Sequence, residues 1–322
     1  RVRAVVIFVW LVLGFTLAFP KGQKGPHFTW VGHDLKVGLK KQEVAATIKQ
    51  EFMTGLAATV KTFFTNNVLS IKEVRSFAGS ANHVAALIWA WRPFLEELWA
   101  AASSSPSSSQ APHNCVWMSQ IKQTLLWIQA FIAGEFGTIS RTWSLHHYLA
   151  DVAELTFKFD ASPWGIGGLL VRHNEIEAFF IDDITEHDVQ HLGIKYGDSS
   201  SQQACESLSV LVGMRAWSEY WISRRCTIAL TGDNVTALTM ALTMRAPSGP
   251  VKKIARELSL EFASACFEPS YATHVSGVSN VLADILSRKH DPTQAAWRLP
   301  PILRGVRRIS LPSREAGFVR LP

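Results

Sequence analysis

Three stretches in the second half of the chain alternate apolar and polar residues with a period of two. They cover 155–161, 165–172 and 175–181, and a Ser-Pro turn and a His-Asn turn separate them. Because short turns join antiparallel neighbours, the pattern predicts a three-stranded meander.

Helical and apolar segments follow this meander in turn. A long helix after Ser199 carries Leu208, Leu211 and Trp217 on one face. The later elements are a strand at 227–231, a helix from 234, a helix near 251–266, a strand near 271–275 and a helix from 279. This order predicts an α/β domain over 153–290, with a mixed five-stranded sheet and flanking helices.

The first half of the chain has a mainly helical pattern. Alternating apolar residues in 21–40 indicate a hairpin, whereas apolar residues in 41–102 recur at helical spacing. The first helix of that region would carry Val44, Ile48, Phe52 and Leu56 on one face. Ser70 and Glu73 have the spacing of a capping box for the second helix.

Three further segments are assigned by their composition. Residues 103–114 are rich in Ser and Pro and predict a linker, and 115–152 predict a helical connector. Residues 291–322 predict a basic, flexible tail. Its arginines, which could bind phosphates, are Arg298, Arg304, Arg307, Arg308, Arg314 and Arg320.

An apolar run opens the chain and has two interpretations. Residues 4–19 are almost wholly apolar, and arginines precede them, which is the pattern of a membrane anchor through residues 4–20. Gly14, Thr16 and Pro20 interrupt or end the run, which equally favours a buried helix with a strand. We expect no stable membrane association, although the sequence leaves the anchor open.

Composition narrows the class of protein. The chain has 322 residues, 48% of them hydrophobic and 18% charged, so it can bury a core. A formal charge of +6 favours anionic partners such as nucleic acid. The four cysteines are widely spaced, which predicts reduced thiols in an intracellular protein, cytoplasmic or nuclear.

Four acids fall at informative positions in the predicted order of elements. Asp160 ends the first strand, Glu206 lies one turn into the long helix, Asp233 ends the fourth strand, and Asp284 lies in the last helix. Gathered carboxylates repel one another unless divalent cations neutralise them, and oxygen ligands suit Mg²⁺ or Mn²⁺. Any one of these acids alone is more often a turn, cap or solvated residue, so the prediction depends on their joint placement.

The segments around these acids resemble the motifs of retroelement ribonuclease H domains. The segments are FDASPWGIGG at 159–168, QACE at 203–206, LTGDN at 230–234 and HVSGVSNVLADILSR at 274–288. The resemblance implies that Asp160, Glu206, Asp233 and Asp284 bind two Mg²⁺ ions, with Mn²⁺ possible. It also implies hydrolysis of the RNA strand of RNA–DNA hybrids by a metal-activated water.

The same resemblance adds further site residues, each with a plainer alternative. Gly167 and Gly168 would let the substrate approach the sheet closely, or they form a simple bulge. Asn234 and Asn280 would contact substrate, although Asn234 also fits a helix cap. His274 would assist product release, or it is a hydrogen-bonded residue at a strand end.

The N-terminal half resembles, more loosely, the end of a reverse transcriptase. WLVLGFTLAFPK at 10–21 and GPHFTWVG at 25–32 look like the stretch after the polymerase hairpin. This implies a palm remnant at 1–40, a thumb or connection region at 41–102, and an upstream reverse transcriptase polypeptide as partner. The FIDD sequence at 180–183 resembles a polymerase motif but falls on a ribonuclease H strand, so we expect Asp182 and Asp183 to be exposed turn residues. Both Asp-rich polymerase motifs would lie upstream, so we expect no DNA synthesis by this chain alone.

Three other functions compete with the nuclease. The chain could be a decayed remnant that binds nucleic acid without cutting it, or a membrane-anchored protein. It could also be an integrase or a 3′–5′ exonuclease of the same fold. The exonuclease pattern requires a Glu where this sequence has Ser162.

Overall fold

A computed structural model describes residues 2–14, 16, 22–23, 25–103, 111–145, 153–221, 226–246, 249–264, 267–311, 313–315 and 318–320. The elements of the N-terminal half are α1 (Val2–Val12), β1 (His27–Trp30), β2 (His33–Gly38), β3 (Glu43–Ile48), α2 (Gln50–Phe64), β4 (Val68–Ser70), α3 (Ile71–Leu87), α4 (Arg92–Ser103), β5 (Cys115–Trp117), α5 (Met118–Ala133) and β6 (Ser140–Ser144). The elements of the C-terminal half are β7 (Leu155–Ala161), β8 (Gly165–Arg172), β9 (Glu175–Asp183), α6 (Gln202–Ala216), β10 (Cys226–Gly232), α7 (Val235–Thr243), α8 (Gly249–Ser264), β11 (Phe267–His274), α9 (Val281–Ser287) and β12 (Arg307–Arg308).

The N-terminal half contains more strand than its sequence pattern predicts. Val44 and Ile48 lie in β3, which pairs antiparallel with both β2 and β6, and the helix begins only at Gln50. A spacing of four residues keeps side chains on one face of a helix and also on one face of a strand, which is why the pattern misled. The predicted capping box at Ser70 and Glu73 is present at the start of α3.

The predicted connector also includes a strand. Helix α5 covers most of its expected span, but β6 then joins the edge of the N-terminal sheet, whose order is β1-β2-β3-β6. Most of the predicted Ser/Pro linker, 104–110, lies outside the described residues, as does 146–152.

The C-terminal half has the predicted ribonuclease H-like fold. Strands β7, β8 and β9 form the antiparallel meander, and β10 lies parallel to both β7 and β11. Leu170 packs in the same core as α6, whereas its neighbour Leu169 packs with α9, so these two helices cover opposite faces of the sheet. The sheet order is β11-β10-β7-β8-β9-β12, which gives six strands rather than the five expected.

The sixth strand comes from the segment that we expected to be a flexible tail, and that expectation is wrong for its described residues. Strand β12 pairs with β9, and Trp297 Nε1 donates a hydrogen bond of 2.6 Å to Ile285 O. The buried Arg314 donates to Asp182 Oδ2 at 2.8 Å, and its Nε lies 3.1 Å from Asp188 Oδ2. Asp182 is therefore a partly buried partner of the C-terminal segment and not an exposed turn residue.

The opening apolar run begins with a short helix. Helix α1 covers 11 residues, with Phe8 and Trp10 among its exposed side chains. No helix among the described residues is long and apolar enough to cross a membrane, and residues 15 and 17–20 of the expected span lie outside them.

Candidate metal centre

Two of the predicted acids meet where adjacent parallel strands end. Thr231 of β10 is paired with Lys158 of β7, so Asp233 and Asp160, each two residues further on, reach the same edge of the sheet. Glu206 comes from α6, which packs across β7 and β8. One carboxylate oxygen from each of Asp160, Glu206 and Asp233 lies within 4.8 Å of the others. Three of the four acids that the sequence analysis expected to gather therefore lie together.

Asp160 is held almost wholly away from water. It is 3% exposed, and its pKa is raised to about 7, chiefly by burial, with the negative charges of Asp233 and Asp284 acting in the same direction. A hydrogen bond of 2.6 Å from Ser287 Oγ to Asp160 Oδ2 favours the charged form and partly offsets this. The carboxylate therefore needs positive charge nearby in order to ionise fully near neutral pH.

Glu206 shows the same electrostatic problem more strongly. It is 2% exposed, and burial raises its pKa well above the usual value, with the charges of Asp160 and Asp233 acting in the same direction. Gln202 Nε2 donates to Glu206 Oε1 at 3.0 Å and also to Ala161 O. Glu206 Oε2 is buried and has no hydrogen-bond partner among the described residues. Such an orphaned oxygen is costly unless a ligand completes it.

Asp284, the fourth predicted ligand, lies beside this group but not within it. Its side chain is 36% exposed, and its Oδ1 accepts a hydrogen bond of 2.6 Å from Arg288 Nε. Its charge still acts on Asp160. Among the described residues, three carboxylates are therefore close enough to share one ion, and the fourth predicted ligand, Asp284, is paired with Arg288.

The glycines that we expected to face substrate instead face the protein interior. A Cβ on Gly167 would lie 2.5 Å from Leu286 Cβ and 2.8 Å from Ser287 N, both in α9. A Cβ on Gly168 would lie 2.4 Å from the Phe180 ring. Both positions are buried, and the lack of a side chain admits a helix at Gly167 and an aromatic ring at Gly168, while contact with substrate stays a prediction.

The two predicted asparagines also have structural partners. Asn234 Oδ1 accepts a hydrogen bond of 3.0 Å from Ala237 N and caps α7. Asn280 is 4% exposed, and its Nδ2 donates at 2.9 Å to the carbonyl of Phe159, directly before Asp160. The Asn280 side chain thus holds the end of β7 beside Asp160, and substrate contact by either asparagine stays a prediction. The Asn234 side chain has the helix-capping contact that the plainer alternative predicted.

His274 lies at the end of β11, opposite Gly232. Its Nε2 is 3.0 Å from Asp233 O, and the ring is exposed. This is the hydrogen-bonded strand-end histidine of the plainer interpretation, next to a site acid. A part in product release stays a prediction.

Three residues to which the sequence analysis gave no role in the site contact its acids. Gln202 contacts Glu206, Ser287 contacts Asp160, and Arg288 contacts Asp284. Gln202 and Arg288 are each four residues from the acid that they contact, which is one helical turn, so the spacing carried the signal for both. Ser287 is 127 residues from Asp160, and no local pattern shows that contact.

The donor set suits a hard divalent cation. Three carboxylates supply oxygen ligands, which Mg²⁺ and Mn²⁺ prefer, and there is no sulfur donor in the group. A bound cation would give Glu206 Oε2 a partner and would lower the pKa of Asp160. The residues present therefore fit the metal that the resemblance implies, although the structure does not identify the ion.

No protein-family model and no curated protein matches this sequence. Similar solved structures include the RNase H1 of the halophilic archaeon Halobacterium salinarum NRC-1. It is 20% identical with a TM-score of 0.31, over 41% of this chain and 92% of that one. The foamy viral protease-reverse transcriptase in complex with an RNA/DNA hybrid is 12% identical with a TM-score of 0.29, over 79% of this chain and 30% of that one. A second foamy viral structure, dRH in complex with double-stranded DNA, is 13% identical with a TM-score of 0.32, over 84% of this chain and 41% of that one. The chain thus spans less than half the length of these viral proteins.

Proposed function

We propose that this chain is a metal-dependent nuclease that hydrolyses the RNA strand of RNA–DNA hybrids. The observation that carries the proposal is the group formed by Asp160, Glu206 and Asp233, within 4.8 Å at the ends of adjacent strands. The four motifs quoted above, which place these acids in the order of a ribonuclease H domain, support the choice of reaction.

The chain's own residues would prepare this site by fixing one oxygen of each buried acid. Ser287 holds Asp160 Oδ2, and Gln202 holds Glu206 Oε1, which leaves the other oxygen of each carboxylate available. A bound divalent ion would polarise a phosphoryl oxygen and lower the pKa of a water ligand. Because the hydrogen-bonded groups are already oriented, little reorganisation would accompany binding.

Selection of the RNA strand would depend on contacts to 2′-hydroxyls and on the groove shape of the hybrid. We further propose that the nuclease is part of a retroelement reverse transcriptase, with an upstream polypeptide as partner. Under this proposal, 1–40 is a palm remnant, 41–102 a thumb or connection region, 103–114 a linker and 115–152 a connector, before the nuclease at 153–290. The N-terminal hairpin of β1 and β2, with the helices that follow, supports this arrangement.

The test is cleavage of a labelled RNA–DNA hybrid in Mg²⁺ by the full chain and by Asp160→Asn. We expect the variant to lose at least about 100-fold in rate, since it removes one anionic ligand from the site. The matched control is Asp198→Asn, at an acid outside the group of three whose side chain caps a short helical turn that Asn caps equally well. Equal cleavage by Asp160→Asn and wild type would overturn the proposal.

Metal titration separates the nuclease from a remnant that only binds nucleic acid. Calorimetry should show Mg²⁺ uptake by the wild-type chain and much weaker uptake by Asp160→Asn. A protein that binds the hybrid but shows no Asp160-dependent uptake would be the remnant.

A further inference from the structure

Arg288 is the positive charge that acts on the acidic site. Its Nε donates at 2.6 Å to Asp284 Oδ1, and its Nη1 lies 3.9 Å from Asp291 Oδ2. It is also the cation that lowers the pKa of Asp160. Its position is thus defined by two ion pairs and by its field at the buried acid.

The Arg288 guanidinium binds Asp284, the carboxylate that lies apart from the other three. Asp160, Glu206 and Asp233 can share one ion, whereas Asp284 directs an oxygen to Arg288. The guanidinium is thus a monovalent cation at the rim of a site built for divalent ones. Like charges at short range repel, so a divalent ion near Asp284 and the bound guanidinium would compete.

Arg288 has one buried partner, because the Asp291 side chain is 3% exposed, but its ion pair with Asp284 is open to solvent. Its side chain is 44% exposed, and Asp284 is 36% exposed, so the pair is not locked in a core. Half-exposed pairs of this kind contribute little free energy, which makes exchange inexpensive. A released guanidinium would lie beside the site with its donors open to solvent, and its planar fork suits a phosphate oxygen pair.

We infer that Arg288 is a built-in counter-cation that divalent metal displaces from Asp284, after which it contacts a phosphate of the nucleic acid. This inference rests on the proposed function and adds a positioning and phosphate-binding residue to it. Arg288 would stabilise the metal-free site and then help to hold substrate in the metal-bound one.

The inference predicts opposite effects of one substitution on two ligands. In calorimetry with Mg²⁺ alone, Arg288→Gln should bind the metal about 3- to 10-fold more tightly than wild type, because a competing cation is gone. In Ca²⁺, supplied to slow hydrolysis, the same variant should bind an RNA–DNA hybrid about 3- to 10-fold more weakly, with a salt slope smaller by about 1. Arg288→Lys keeps the charge, so its affinities for Mg²⁺ and for the hybrid should both lie between those of wild type and Arg288→Gln.

The matched control is Arg307→Gln, which removes an exposed arginine paired with Glu219 at 2.8 Å, away from the site. It should leave Mg²⁺ affinity unchanged. Metal affinity of Arg288→Gln that equals or falls below that of wild type would overturn the inference while leaving the nuclease in place. Absence of Asp160-dependent Mg²⁺ uptake by the wild-type chain would instead overturn both.

Discussion

Ser287 Oγ donates a 2.6 Å hydrogen bond to Asp160 Oδ2, although the two residues are 127 positions apart. The contact joins the end of α9 to the end of β7, and both side chains are buried. Ser162 Oγ donates at 2.8 Å to Ser287 O from the same edge of the sheet. A helix end is therefore docked against the strand that carries Asp160, one of the two buried acids of the site.

Loss of the Ser287 hydroxyl should weaken both the fold and the metal site. Ser287→Ala leaves a buried carboxylate oxygen without its donor, which costs about 1–3 kcal/mol in the free energy of unfolding and about 10-fold or more in Mg²⁺ affinity. Urea unfolding and calorimetry at about pH 8 measure the two effects. Ser207→Ala is the control, because that buried hydroxyl donates to Gln203 O within α6, 2.8 Å away. Equal Mg²⁺ affinities of the two variants would contradict a contribution of the Ser287–Asp160 hydrogen bond to metal binding.

The approach of α9 to the sheet should tolerate no side chain at Gly167. A Cβ there would lie 2.5 Å from Leu286 Cβ, so Gly167→Ala should destabilise the protein by about 1–3 kcal/mol and displace Ser287. Gly79→Ala provides the opposite case, since a Cβ in that part of α3 meets nothing within 4 Å. It should be neutral or stabilise by up to about 1 kcal/mol. Denaturant unfolding of both variants checks the signs, and equal losses would refute the close approach.

The sequence was sufficient for the order of the C-terminal elements but not for every contact in the site. The strands and acids could be placed because alternation and motif spacing are local properties of the chain. The same patterns could not say what approaches Gly167 and Gly168: a glycine in a strand permits close approach by a substrate, a helix or an aromatic ring alike. Only the position of α9 and the Phe180 ring decides between them.

The prediction of a flexible tail at 291–322 was wrong for a related reason. Its arginines suggest a solvated tail, yet Arg314 reaches Asp182, 132 residues earlier in the chain. In β3, Val44 and Ile48 fit two periodicities equally, and the neighbouring strands β2 and β6 settle the choice. Pairings at such separations are set by tertiary packing, which local propensity does not encode.

The buried acids should make the metal-free protein less stable as the pH rises. Burial raises the pKa of Asp160 from 3.8 to about 7, so between these values the folded state binds more protons than the unfolded one. Stability from this group is full below about pH 4 and is lost as the pH rises through about 7, and Glu206 acts in the same direction. The free energy of unfolding should fall by a few kcal/mol more in wild type than in Asp160→Asn between about pH 5 and pH 8. Saturating Mg²⁺ should reduce that decline, and parallel curves for the two proteins without metal would contradict the account.

Removal of Arg314 should destabilise the protein far more than removal of an exposed arginine. The Arg314 and Asp188 side chains are 1% and 0% exposed, so Arg314→Met leaves a buried charge uncompensated, at a cost of about 3–5 kcal/mol. Arg307→Gln breaks an exposed pair and should cost less than about 1 kcal/mol. Urea unfolding compares them. A loss below about 1 kcal/mol for Arg314→Met would show that the C-terminal segment is not part of the folded domain.

The central claim is that Asp160, Glu206 and Asp233 share a divalent cation. Anomalous diffraction from crystals of the full chain soaked in Mn²⁺ tests it most directly. The account predicts a peak about 2.0–2.4 Å from one carboxylate oxygen of each of the three residues, with Glu206 Oε2 among them. A saturated crystal with no peak between these oxygens, or with manganese bound only elsewhere, would contradict it.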